Sequence, residues 1–169
     1  MYSSLETAVT LAASISRHLL TADHQMRLTT HDGSLLASGR DIDDDVLAAL
    51  AVVEEDPSGA LSAASVKGSG LIIAILGALD LPSARLLVAA RRRGTNGIAM
   101  VLDTASWDPR GASGDPRAVA LLQASGWRVV TVRAGDSLAV AWNQACAGSS
   151  AFQRTADRQV ALPGPGAWR

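Results

Sequence analysis

The stretch GLIIAILGALD, residues 70–80, decides the fold. Positions 71–76 are apolar without a break, a glycine precedes them, and Gly77, Ala78 and Asp80 follow. Uninterrupted rather than alternating apolarity predicts a strand covered on both faces, as in the centre of a parallel sheet. The shortness of the run and its three isoleucines favour strand over buried helix. Asp80 then falls just outside the carboxyl end of a strand, where open α/β sheets place their ligands.

Working outward, the same kind of signal repeats. Residues 98–102 and 128–132 read as two further strands, each followed by a helix-opening residue pair, Asp115-Pro116 and Asp136-Ser137. Helices are expected over 81–93, 116–125 and 137–147, with Arg91, Arg92 and Arg93 complementing the negative end of the first and Gly94 stopping it. Upstream, Ser3 and Glu6 form a capping box for a helix to about Thr21, with Leu5, Val9, Ala12, Ala13, Ser16, Leu19 and Leu20 on its apolar stripe. Residues 26–30 and 35–37 read as a hairpin around His31-Asp32-Gly33-Ser34. Asp41 is the expected cap of a helix over 42–54, and a short alanine-rich helix is expected over 60–66. Strands alternating with helices imply a mostly parallel sheet, here with an antiparallel edge hairpin, in a Rossmann-like three-layer α/β/α sandwich. The α/β domain is expected over 1–147. From Gly148 onward, Ser149, Ser150 and Pro163-Gly164-Pro165-Gly166 predict a tail with little regular structure.

The totals narrow the function classes. A formal net charge of -1 argues against a duplex nucleic-acid binder, which needs a strongly basic face. One cysteine, Cys146, excludes an internal disulfide, and no charged-then-apolar leader follows Met1, so a cytoplasmic location is expected. The apolar runs fall short of the roughly 18 residues that span a bilayer.

The words Glu6-Thr7-Ala8-Val9, Ala12-Ala13-Ser14, His18-Leu19-Leu20 and Arg27-Leu28-Thr29, with the element order above, carry a resemblance. They resemble the C-terminal part of the bacterial "domain of unknown function 58" proteins, whose fold is von Willebrand factor A-like (VWA-like). The resemblance covers roughly residues 3–147. It implies the soluble part of a membrane-anchored protein, often encoded beside a MoxR-type ATPase, with such an ATPase as a protein partner and no established catalytic activity. It also implies that the first strand of the fold is absent before Met1. Two strand edges would then stand unpaired, to be filled by a partner chain or homo-oligomer, by closing up of the strands, or by the tail around Val160.

A VWA metal site takes an Asp-x-Ser-x-Ser loop, a Thr, and an Asp after the fourth strand, all hard oxygen ligands suited to Mg²⁺. Only Asp80 matches, and Ser58 stands where the Thr would be. No cofactor is therefore expected, and Mg²⁺ only if the missing strand is supplied. No catalytic residue is assigned. The protein-interaction candidates are Asp103, Trp107, Asp108, Arg110 and Asp136, because the long loop 103–115 and the last parallel strand bring them to the same edge as Asp80. Asp80 and Asp136 are also ordinary helix-cap residues. The histidines His18, His24 and His31 are not at metal spacing, and Lys67-Gly68-Ser69-Gly70 precedes its strand, where a phosphate loop would follow it. The expected function is thus a non-enzymatic protein-interaction module. Its rival is a small metal-assisted α/β enzyme using carboxylates at the sheet's carboxyl edge. A nucleotide-binding domain is disfavoured for want of a glycine-rich turn after any strand.

Overall fold

The first helix, α1 (Ser4–Thr21), begins as its sequence dictates. The Ser3 hydroxyl accepts the Glu6 amide at 3.1 Å, and the Glu6 carboxylate accepts the Ser3 amide at 2.7 Å. In the computed structural model of the chain, residues 3–56, 60–63, 70–91 and 96–147 are described. After α1, Asp23 takes a left-handed φ of 58° and turns the chain into a hairpin of β1 (Met26–Thr29) and β2 (Leu35–Gly39). Gly33, at φ 92°, supplies the left-handed residue the turn requires, and the Asp32 carboxylate accepts the Ser34 amide at 3.0 Å.

Helix α2 (Asp43–Leu50) is shorter than its expected span of 42–54. Ile42, not Asp41, occupies its N-cap, without a side-chain cap bond. Asp43, Asp44 and Asp45 favour its positive end instead. Glu54, Glu55 and Asp56 would oppose the negative end of a longer helix, so the chain leaves the helix before reaching them. Of the alanine-rich helix expected over 60–66, residues 60–63 are non-helical and the rest lies outside the described residues. The tail from Gly148, including Val160, also lies outside them.

The second half follows the predicted alternation: β3 (Leu71–Leu76), α3 (Leu81–Ala90), β4 (Asn96–Leu102), α4 (Pro116–Ala124), β5 (Arg128–Val132) and α5 (Leu138–Cys146). Helix α3 ends earlier than expected, because Arg91 turns extended and its guanidinium donates to the Ser125 carbonyl after α4. Arg92, Arg93 and Gly94 lie outside the described residues.

The protein is mixed α/β, with two sheets rather than one among the described residues. The three strands β3-β4-β5 are parallel, with Ile73 opposite Ile98 and Ile98 opposite Arg128. The hairpin, expected as an edge of that sheet, forms its own two-stranded antiparallel sheet. On one face of the parallel sheet, Leu11 and Ile15 of α1 and Ala141 and Ala145 of α5 pack on Ile98, Met100 and Leu102. On the other, Leu87 of α3 and Leu122 of α4 pack on Ala99, Val101 and Trp127. The Trp127 ring lies over Gly97, where an added Cβ would stand 2.5 Å from it. A third cluster joins Leu20 of α1 to Ala37 of β2 and Val46 and Leu50 of α2.

One expectation is overturned outright. The fully buried central strand is β4, buried at every position from Gly97 to Leu102. Among the described strands β3 is an edge, bonded to β4 alone, and it is half-buried along its whole length. Its unbroken apolarity has a simple cause: Leu71, Ile73 and Ile75 face one core, and Ile72, Ala74 and Leu76 the other. An apolar run reports two covered faces, and it is silent about the two edges. Among the described residues no helix is long and apolar enough to cross a membrane.

Candidate functional site

Two places on the molecule could carry recognition. The first is the carboxyl edge of the parallel sheet, to which the topology brings Asp80, Asp103 and Asp136. Asp80 caps α3, accepting the Ser83 amide at 2.8 Å. Hydrogen bonds from the Ser83 hydroxyl and amide hold its carboxyl below the ordinary value. Asp103 follows β4 and meets the Arg133 guanidinium at 3.4 Å. Asp136 accepts the Arg133 amide at 2.8 Å, while Ser137 is the residue that caps α5. Asp103 and Asp136 therefore share Arg133, and Asp80 is turned to its own helix.

The loop 103–115 is knitted rather than loose. It opens with a turn of 3-10 helix, Thr104–Ser106. At its start the Asp103 amide donates to Val132 at 2.9 Å, and the Ser106 hydroxyl accepts the Ala134 amide at 2.9 Å. In its middle the Thr104 hydroxyl donates to Ala112 at 2.6 Å. At its end the Asp115 amide donates to Leu79 at 2.8 Å, so the loop arches from the end of β5 to the end of β3. Trp107 is half-buried against the α1–α5 core. Asp108 and Arg110 are exposed, with the Asp108 carboxylate accepting the Arg110 amide at 2.9 Å. Asp115 caps α4 and is clasped by Arg117, which depresses its carboxyl and raises the guanidinium. Among the described residues no group of three histidine, cysteine, aspartate or glutamate side chains is placed to hold a metal ion. Ser58 lies outside the described residues.

The second place lies where the resemblance puts the absent first strand, between the strand after Ala22 and the strand at Leu71; its lining residues are not among the sequence candidates. Between β1 and β3 runs a groove with a cavity volume of about 410 Å³. Its floor is the stripe Ala12, Ile15, Ser16 and Leu19 of α1. One wall is Met26, Arg27 and Leu28 of β1, and the other is Leu71, Ile73 and Ile75 of β3. His24 and Gln25 stand at its mouth. The signal for its floor in the sequence is slight: Ala12 and Ser16, two small residues one turn apart on an otherwise aliphatic stripe. The distal end of the hairpin is pinned to the chain beyond α2, with His31 Nε2 2.8 Å from Asp56 and the His31 carbonyl accepting the Ser62 amide at 2.8 Å.

The remaining sequence candidates settle elsewhere. Cys146 is half-buried at the end of α5, and burial pushes its thiol up, away from nucleophilic character. His18 meets Trp142 edge-to-face at 6.2 Å. No family model, curated protein or solved structure matches the chain.

Proposed function

We propose that the chain is a non-enzymatic protein-interaction module whose recognition surface is the groove between β1 and β3. The observation that carries this reading is a pair of strand edges that no other described strand pairs, across a shared helical floor. Unpaired edges recruit another chain unless they are covered, and apolar ones do so more strongly. Each carboxylate at the opposite candidate site, by contrast, has a local partner: Asp80 and Asp115 as caps, Asp103 and Asp136 through Arg133. The resemblance to VWA-like domains encoded near MoxR-type ATPases points the same way, since the partner it implies is a protein.

The test is photo-crosslinking in cells with a benzophenone side chain placed at Gln25, at the mouth of the groove, and for comparison at Val140 on α5. Val140 is 54% exposed, so both positions are accessible. A discrete protein adduct from Gln25, absent from Val140 and lost when Ala12→Phe fills the floor, is the expected result. Equal adducts at both positions, or none at Gln25, would remove the groove as the recognition surface.

A further inference from the structure

The groove has a shape and chemistry that specify more than a protein partner. We infer that it is a strand acceptor: it takes an extended segment of a partner protein, paired to β1 on one side and β3 on the other. This rests on the interaction reading above and names the form of the partner.

Three observations define the occupant. First, β1 is bonded only to β2, and β3 only to β4, among the described strands. Each therefore turns a row of backbone donors and acceptors away from its own sheet, and the groove lies between the two. A helix satisfies its own backbone groups and cannot pair with either row, whereas an extended chain can pair with both. With β3 six residues long, the matching segment is about six residues, roughly 20 Å. Second, the floor is mostly apolar, with the small residues Ala12 and Ser16 beside Ile15 and Leu19. Side chains of a strand alternate, so every second residue of the segment would meet this floor and should be aliphatic. Third, the other face of the hairpin is polar. Arg27 pairs in register with Ser38, and both are exposed, while the neighbouring pair Leu28 and Ala37 faces the core. Arg27 makes no ion pair among the described residues, and no described acid lines the groove. The outward face of the segment should then carry a carboxylate beside Arg27. The occupant is an amphipathic acidic–aliphatic strand.

The probe is a fluorescein-labelled heptapeptide, Thr-Val-Glu-Val-Thr-Val-Thr, titrated against the full chain by anisotropy. Replacing its Glu by Lys should weaken binding about threefold, the scale of an exposed ion pair, and Arg27→Glu should reverse that preference. N-methylation removes one backbone donor. Because adjacent residues of a strand aim their amides at opposite sides, methylation at either of two successive positions should cost about tenfold. A loss at only one of the two would mean one-sided pairing and would overturn insertion between both edges. No loss at either would mean that an apolar ligand or another binding mode occupies the groove. Light scattering should give a monomer. A dimer dissolved by the peptide would make a second copy the occupant, and an about tenfold gain in affinity on deleting residues 148–169 would make it this chain's own end. Either result sinks the proposal. If the peptide fails while the Gln25 adduct persists, the strand form is wrong and the module stands. Loss of the adduct itself removes both.

Discussion

The parallel sheet and the hairpin stand side by side on α1, and they are held in different ways. Strand β4 has cores above and below it and a paired neighbour on each edge. The hairpin has one core, built from Leu20, Ala37, Val46 and Leu50, and its opposite face, with Arg27 and Ser38, is in water. Helix α1 serves both, with Leu11 and Ile15 turned to the sheet and Leu20 to the hairpin. The stripe between those two faces is the floor of the groove. The difference shows what joins the two units: a shared helix and the pin at His31, and no β-pairing among the described residues. Strand β3 stands between the two situations, having two cores and one edge that no other described strand pairs.

The largest effect should separate β4 from β3. Met100 is fully buried, and Met100→Ala should cost about 2–5 kcal/mol through lost transfer energy and the cavity left behind. Ile73 occupies a half-buried position beside the groove. Ile73→Ala should cost only about 1–2 kcal/mol, since part of its surface already meets solvent and the site can relax. Denaturant titrations of the two variants give the comparison directly. Equal losses would mean that β3 is as enclosed as β4 and that the groove is closed in solution.

That contrast also marks how far the sequence could be read. The spans 71–76 and 128–132 coincide with β3 and β5, and β4 begins two residues before its expected 98, because apolar period and flanking turns are local properties. Ser3 and Asp80 were legible as caps for the same reason, and each caps its helix by a side-chain bond, whereas at α5 the cap is Ser137 and not Asp136. Sheet order is not local. Leu71–Leu76 and the buried run of β4 look alike as strings, and only the neighbours supplied by the rest of the chain decide which is central. The length of α2 was misjudged because apolar residues continue to Val53, while the acids at 54–56 that end it act through the helix dipole. The two unpaired edges were expected from the resemblance, but the lining of the groove between them was not, because it comes from three elements, each apolar for ordinary packing reasons. The carboxylate edge was visible from strand ends alone, and what the sequence could not show was that Arg133 ties Asp103 to Asp136 while Asp80 points to its own helix.

A smaller effect tests the layer that covers β3 on the side away from α1. Asp80→Ala removes the acceptor for the Ser83 amide and should cost about 0.5–2 kcal/mol as a lost helix cap. The loss should leave metal affinity where it was. With one aspartate and no cluster around it among the described residues, Mn²⁺ binding should be no tighter than millimolar, about -4 kcal/mol. Calorimetric titration of both forms with Mn²⁺ checks this. A micromolar isotherm that vanishes in Asp80→Ala would move recognition from the groove to the carboxyl edge and favour the metal-assisted enzyme.

The smallest effect concerns the hairpin alone. At its turn the Asp32 carboxylate accepts from the Thr30 hydroxyl, then from the Ser34 amide and hydroxyl, and its pKa is lowered from 3.8 to about 2. A carboxyl whose folded value is depressed stabilises the fold above its unfolded value, and that contribution fades as pH falls through the folded one. The turn should therefore keep its full support above about pH 3.8 and lose it progressively toward about pH 2. Asp32 is exposed, so water and salt screen the effect, and it should stay local. Amide chemical shifts at Gly33 and Ser34 followed through an acid titration should move with a midpoint near 2, well below the ordinary carboxylate range. The amides of β4 should not follow that midpoint, because among the described residues no β-pairing joins the hairpin to the parallel sheet. Asp32→Asn keeps an acceptor oxygen for the Ser34 amide but cannot ionise, so the turn should survive and its titration disappear. A shared midpoint at Gly33 and Met100 would show the two sheets responding as one unit, with the space between β1 and β3 closed up rather than open to a partner.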